Sequence, residues 1–139
     1  MRQRPWAAGL VAAVILLALA GCGGDSSTAT ASIETISPAE AADLLGAPPD
    51  GLVVLDVRTP DEFATGHLPD AVNLDYQSAG FADGLGALDR EAPYLLYCRT
   101  DNRSGEVREM MRSLGFRDVH EIDGGIVAWA EAGLPIEMP

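Results

Sequence analysis

An α/β fold, in which a mostly parallel sheet is flanked by helices, is what this sequence predicts, and three observations carry the prediction. Short β-type runs alternate with helical signals from Ile33 onward. One of those runs, Leu52-Val53-Val54-Leu55, shows no polar alternation, as a strand covered on both faces requires. Two segments, Ser37-Pro38-Ala39-Glu40 and Thr59-Pro60-Asp61-Glu62, combine a capping box with Pro at the first helical position, and each opens a helix shortly after a strand.

In chain order, Ile33 to Ile36 is the first candidate strand, and the Ser37 cap then starts a helix running to about Leu45. Leu52 to Asp56 is the central buried strand, ending in an acid. The Thr59 cap starts a short helix that Gly66 ends. Val72 to Leu74 is a third strand, and the Gly-rich stretch from Gln77 to Leu88 reads as a broken helix. Tyr94 to Tyr97 is the fourth strand. Beyond a six-residue loop, Val107, Met110, Met111 and Leu114 fall at i, i+3, i+4 and i+7, an amphipathic helix that starts near Arg103 and is capped by Gly115. Val119 to Ile122 is the last strand, and Asp123 caps a final helix through Ala132, stopped by Gly133 and Pro135. On that helix Trp129 lies at i+3 from Ile126, a core spacing. No internal repeat interrupts the order, and residues 33–139 make one domain of ordinary size.

The first residues have another character. Residues 1–21 join a basic start, Arg2 and Arg4, to an apolar run from Ala7 to Ala20 that is short for a membrane span, which is the pattern of a secretory signal peptide. The exit Leu19-Ala20-Gly21-Cys22 resembles the bacterial lipobox, which implies a Cys22 acylated as the first mature residue and a protein lipid-anchored to a bacterial membrane on its extracytoplasmic side. Residues 22–32, small and polar, read as a flexible tether.

The chain has a formal net charge of -12, from nine Arg and no Lys against 21 acidic residues. With Arg2 and Arg4 in the leader, the remainder is more negative still. Such a field repels nucleic acid, so no nucleic-acid partner is expected, and an anionic substrate has to be met by a local Arg cluster.

With Cys22 acylated, Cys98 is a lone thiol in a secreted protein, and a leftover Cys of that kind is a candidate reactive group. It stands directly after the strand Tyr94 to Tyr97 and before the helix near Arg103, the place where an open parallel sheet binds its ligands and a helix offers free N–H groups. Arg99 and Arg103 add positive charge, and these features favour a nucleophilic thiolate.

The run Cys98-Arg99-Thr100-Asp101-Asn102-Arg103-Ser104-Gly105 resembles the active-site loop of the rhodanese family, in which a Cys opens a six-residue loop closed by an Arg. The resemblance extends to Leu55-Asp56-Val57-Arg58-Thr59-Pro60-Asp61-Glu62-Phe63 and to Gly66-His67-Leu68-Pro69-Asp70-Ala71-Val72-Asn73. It continues in Asp123-Gly124-Gly125-Ile126-Val127-Ala128-Trp129 and Ala132-Gly133-Leu134-Pro135, so the blocks cover the domain in family order. It implies a single rhodanese-like domain with a five-stranded, mostly parallel sheet, and a sulfurtransferase. In that scheme the Cys98 thiolate takes a sulfane sulfur from a small donor such as thiosulfate or a persulfide, holds it as a persulfide, and passes it to cyanide or a thiol. No cofactor or metal is required.

The resemblance also distributes roles. Arg99, Thr100, Asp101, Asn102 and Arg103 form the substrate-binding loop, with Arg103 bonding loop carbonyls or an anionic donor. Asp56 and Arg58 brace the site through ion pairs, with Glu62 as a further partner, and His67 is a structural hydrogen-bonding residue. His120 carries no evident role. One position departs from the family: the fourth loop residue is commonly Gly, and here Asp101 stands there, a residue that tolerates the left-handed backbone region but whose charge opposes a thiolate and repels thiosulfate. Two rival readings follow. One is a non-enzymatic binding or redox-sensing module, for which Asp101 is the main argument. The other is a phosphatase, which the short Cys-x4-Arg spacing and the lack of a leaving-group acid disfavour.

Overall fold

The computed structural model describes residues 32–139. The signal peptide expected at 1–21, the acylated Cys22 and all but the last residue of the 22–32 tether lie outside them.

Both capping boxes form. The Ser37 hydroxyl accepts from the Glu40 N–H while the Glu40 carboxylate accepts from the Ser37 N–H at 2.8 Å, which starts α1 (Pro38–Gly46). Thr59 and Glu62 cap α2 (Pro60–Ala64) in the same way, again with Pro inside the first turn. These helices alternate with β1 (Ile33–Ile36), β2 (Val53–Asp56), β3 (Val72–Asn73), β4 (Pro93–Tyr97) and β5 (Asp118–Ile122). The strand order is β1-β5-β4-β2-β3, and all the pairings are parallel, so the sheet is wholly rather than mostly parallel. The remaining helices are α3 (Phe81–Ala87), α4 (Asn102–Ser113) and α5 (Gly125–Glu131).

The central strands are buried on both faces and divide the core in two. Leu55, Tyr94, Leu96 and Val119 pack with Val107 and Met111 of α4 and with Phe81 and Leu85 of α3. Val54, Leu95, Tyr97 and Ile122 pack on the other face with Ala41 of α1 and Ile126 and Trp129 of α5. The period-2 alternation of side chains assigns each residue to its layer. Trp129 is core, as its spacing predicts, and its indole N–H donates to the Pro135 carbonyl at 2.9 Å.

Three local expectations are corrected. In the Gly-rich stretch from Gln77 to Leu88, turns up to Gly80 lead into a single helix, α3, with no break inside it, and at Gly84 a Cβ would stand 2.7 Å from Leu74, so this glycine serves close helix-on-chain packing rather than a break. On α4 the buried stripe is Ser104, Val107 and Met111, whereas Met110 and Leu114 lie on its flank and are exposed. A polar residue thus takes the stripe position nearest the loop. Asp123 does not cap α5. The cap position is Gly124 at φ 69°, because the first N–H groups of that helix serve the loop at Cys98.

Candidate active site

Cys98 follows β4 at the carboxyl edge of the sheet, under the start of α4, with only 1% of its surface exposed. The N-terminus of α5 clamps the chain there: Ile126 N–H donates to the Cys98 carbonyl at 3.0 Å and Val127 N–H to the Arg99 carbonyl at 3.1 Å. Gly125 makes that approach possible. A Cβ on it would lie 2.2 Å from the Thr100 carbonyl oxygen, 2.5 Å from that of Cys98 and 2.7 Å from that of Arg99, and its φ is 59°. Because a trans peptide points its C=O and N–H in opposite directions, carbonyls turned toward α5 turn the next residues' N–H groups away from it. Among the described residues, no protein atom accepts from the N–H groups of Arg99 through Ser104. Successive free N–H groups of this kind, next to a helix start, form an anion cradle.

Asp101 adopts φ -151°, so the loop closes without the left-handed backbone that a Gly at this place would allow, and the expectation of such strain is set aside. Its side chain is exposed and makes no cap bond to α4. Arg99 and Asn102 are also exposed, and Thr100 is half-buried. Arg99 borders a cleft of 280 Å³ together with Arg58, Glu62, Ile126, Val127 and Ile136.

Two ion pairs brace the loop. The buried Arg58 guanidinium donates to Asp56 Oδ2 at 2.6 Å and to the Gly66 carbonyl at 2.7 Å, and it lies 5.7 Å from the centre of the Tyr97 ring. Burial disfavours the Arg58 charge, but Asp56 outweighs it and raises the guanidinium's proton affinity. Arg103 holds Glu62 in a two-bond fork, Nη1 to Oε2 at 2.7 Å and Nη2 to Oε1 at 2.8 Å. Arg103, with smaller help from Thr59, lowers Glu62 to about 2. This corrects one expectation, since Arg103 bonds Glu62 rather than the loop carbonyls, of which α5 takes those of Cys98 and Arg99, and it is Arg103 that Glu62 pairs with.

The sequence reading missed two polar residues at the site. Ser104 Oγ lies 3.3 Å from Cys98 Sγ and donates to Glu121 Oε1 at 2.6 Å. Glu121, in β5, is 2% exposed. The signal was available in the alternation of β5, since Glu121 is two residues from Val119 and so shares the face that carries Cys98 and α4. His67 is remote from the thiol: its ring stacks on Phe63 at 4.0 Å and its Nδ1 lies 3.0 Å from the Leu68 carbonyl. His120 pairs with Asp118 at 2.9 Å.

Fold and site together define an α/β domain with a buried thiol at the carboxyl edge of the central strand of a parallel sheet, beside the uncapped starts of two helices. The family model of the rhodanese-like domain matches residues 37–132, and the chain belongs to that family. It is similar to the thiosulfate sulfurtransferase GlpE of Pseudomonas putida, 39% identical over 80 residues that make 58% of this chain and 71% of the relative. It is also similar to an uncharacterized protein of Synechocystis sp., 35% identical over 86 residues, or 62% of this chain, and the match spans about half of that longer relative, 47%. Among solved structures, the crystal structure of a rhodanese-related protein from Thermoplasma volcanium superposes with a TM-score of 0.67 at 26% identity, covering 76% of this chain and 99% of the other. The relatives support a sulfurtransferase at the level of the family.

Proposed function

We propose that the protein moves a sulfane sulfur from a small donor, thiosulfate or a persulfide, to a thiol or cyanide through a Cys98 persulfide. The observation that carries this reading is the run of free N–H groups from Arg99 to Ser104 around a buried thiol. The Cys98 thiolate attacks the outer sulfur of thiosulfate, an S–S bond forms as the donor's own S–S bond breaks, and sulfite leaves with the electron pair. The negative charge then sits on the terminal persulfide sulfur, where backbone N–H groups stabilise it without a metal. An acceptor attacks that terminal sulfur and returns Cys98 as the thiolate.

A phosphatase reading loses its central group, because both terminal nitrogens of Arg103 are committed to Glu62. The redox-sensing reading draws on Asp101, whose exposed charge stands at the loop and opposes a dianionic donor. The lipobox-like Leu19-Ala20-Gly21-Cys22 supports a domain carried on a bacterial membrane outside the cytoplasm by lipid on Cys22.

Intact-mass spectrometry of the full-length protein after brief exposure to thiosulfate, beside Cys98→Ser, tests the function. The expected result is a gain of about one sulfur mass on the wild type alone, removed by cyanide or a reducing thiol. Loading from a low-molecular-weight persulfide but not from thiosulfate assigns the donor to the persulfide class. No adduct from either donor on a folded protein overturns the sulfurtransferase reading in favour of the redox or binding module.

A further inference from the structure

A carboxylate inside an apolar sheet face is costly unless every lone pair finds a donor, and Glu121 is placed in just such a position. Arg108 Nη1 donates to its Oε2 at 2.8 Å, and the Thr35 hydroxyl reaches the same oxygen at 3.4 Å. Its other oxygen, Oε1, takes the Ser104 hydroxyl at 2.6 Å. A serine hydroxyl has one proton and two lone pairs. Ser104 Oγ also reaches Cys98 Sγ at 3.3 Å and the Asp101 carbonyl at 3.4 Å, and its single proton serves one of the three partners at a time; when the carboxylate, the nearest of them, holds it, the contact with the thiol S–H needs Oγ as the acceptor. In that arrangement the bonds run from Cys98 S–H to Ser104 Oγ–H to Glu121 Oε1.

A buried thiol becomes a nucleophile only if its proton has somewhere to go. Among the described residues Ser104 is the one side chain that hydrogen-bonds Cys98 Sγ, and the two histidines are engaged elsewhere. We propose that Ser104 relays the Cys98 proton to Glu121, so that Glu121 is the internal acceptor that generates the thiolate, with Arg108 and Thr35 fixing its orientation. The relay deepens the sulfurtransferase reading and rests on it. The Cys98 S–H bond breaks as Ser104 Oγ gains that proton, and the original Ser104 proton passes to Glu121 Oε1. One negative charge moves from the carboxylate to the sulfur, and the total stays the same. Ser104 touches the reacting sulfur, whereas Glu121 acts through it.

The charged groups around this pair are Arg108 of α4 on the Glu121 side, and on the Cys98 side the exposed Arg99 and Asp101 of the loop, Arg103 of α4, Glu62 of α2 behind it, and Asp56 of β2. These are common to all the variants of the test. The rate of Cys98 alkylation by iodoacetamide is measured against pH by intact mass on the full-length wild type, Glu121→Gln, Ser104→Ala and Ser104→Thr. Gln keeps an oxygen for the Ser104 hydroxyl but takes no proton at neutral pH. The expected result is alkylation about tenfold slower at neutral pH in Glu121→Gln and Ser104→Ala, with the midpoint moved up by about one pH unit, and recovery in Ser104→Thr. Faster alkylation in Glu121→Gln, with the midpoint moved down, would make Glu121 a repelling charge and overturn the relay, as would an unchanged profile. If Glu121→Gln fails to fold by circular dichroism, the two Ser104 variants decide the matter by the same criteria. Sulfur loading of the wild type is scored separately, so a relay without loading sinks the sulfurtransferase reading alone, and loading with an unmoved profile sinks the relay alone.

Discussion

Four of the helices, α1 and α2 against α4 and α5, differ in how their N-termini are closed; α3 also starts without a side-chain cap, at Gly80. In α1 and α2 the sequence closes its own ends: Ser37 with Glu40, and Thr59 with Glu62, satisfy the first N–H groups reciprocally. In α4 and α5 no side chain caps the start. The first N–H groups of α5 go to the carbonyls of Cys98 and Arg99, and those at the start of α4 stay free around the thiol. Among these four the difference separates stability from function: the self-capped starts build the scaffold, and the uncapped starts beside Cys98 leave their donors to the loop. Glu62 belongs to both classes, since it caps α2 and holds Arg103 across the loop.

The hardest way to break this arrangement is at Gly125. Gly125→Ala drives a methyl into three carbonyl oxygens at 2.2 to 2.7 Å and is expected to cost about 3 kcal/mol or more and to abolish sulfur loading, read by urea unfolding and intact mass. Next comes Glu62. Glu62→Ala removes the cap and the Arg103 partner together, at about 2 kcal/mol, whereas Glu62→Gln keeps the cap and costs about half as much in the same urea titration. Because Arg103 lowers the carboxyl to about 2 from its ordinary 4.5, this stability is fully present above about pH 4.5 and is lost as pH falls toward 2. Over that window the wild type should lose more stability than Glu62→Gln, and equal slopes would show that the pair contributes nothing.

Ser37→Ala, at the other self-capped start, is expected to cost about 1 kcal/mol and leave persulfide loading unchanged. A loss of loading there would break the division between the two kinds of helix. The smallest effect on stability is expected at Asp101, exposed and at φ -151°: Asp101→Asn should shift stability by less than about 0.5 kcal/mol. It should speed thiosulfate loading about two- to threefold at low salt, with the gain shrinking as ionic strength rises.

Much of the scaffold could be read from the chain because its signals are local. Pro38 and Pro60 inside their capping boxes, Gly115 after α4 and the unbroken apolar run of β2 each act within a few residues. The loop could be placed for the same reason, since Cys98 and Arg103 lie between a strand and a helix. What the sequence hid depends on pairings distant along the chain. Arg103 turned to Glu62 rather than to the loop because α5 had taken the loop carbonyls, and that follows only once β5 and α5 are docked beside β4. Glu121 escaped notice because an acid on a strand reads as an exposed face until both faces of that strand are seen to be covered. The apolar spacing of α4 spans more than the stripe that is buried, because spacing alone does not show which flank meets the sheet.

A wholly parallel sheet has poles. Ile33, Tyr94 and Val53 stand level at one end of it, through their pairings with Val119 and with each other, and Cys98 lies beyond the opposite end. Four strand residues, about 13 Å, separate the entry of the chain from the thiol. The chain enters the domain at its foot, at Ser32, and the thiol lies at its head. Were the domain moored through the segment before Ser32, as proposed, the end that carries the Cys98 loop would be the one turned away from the surface.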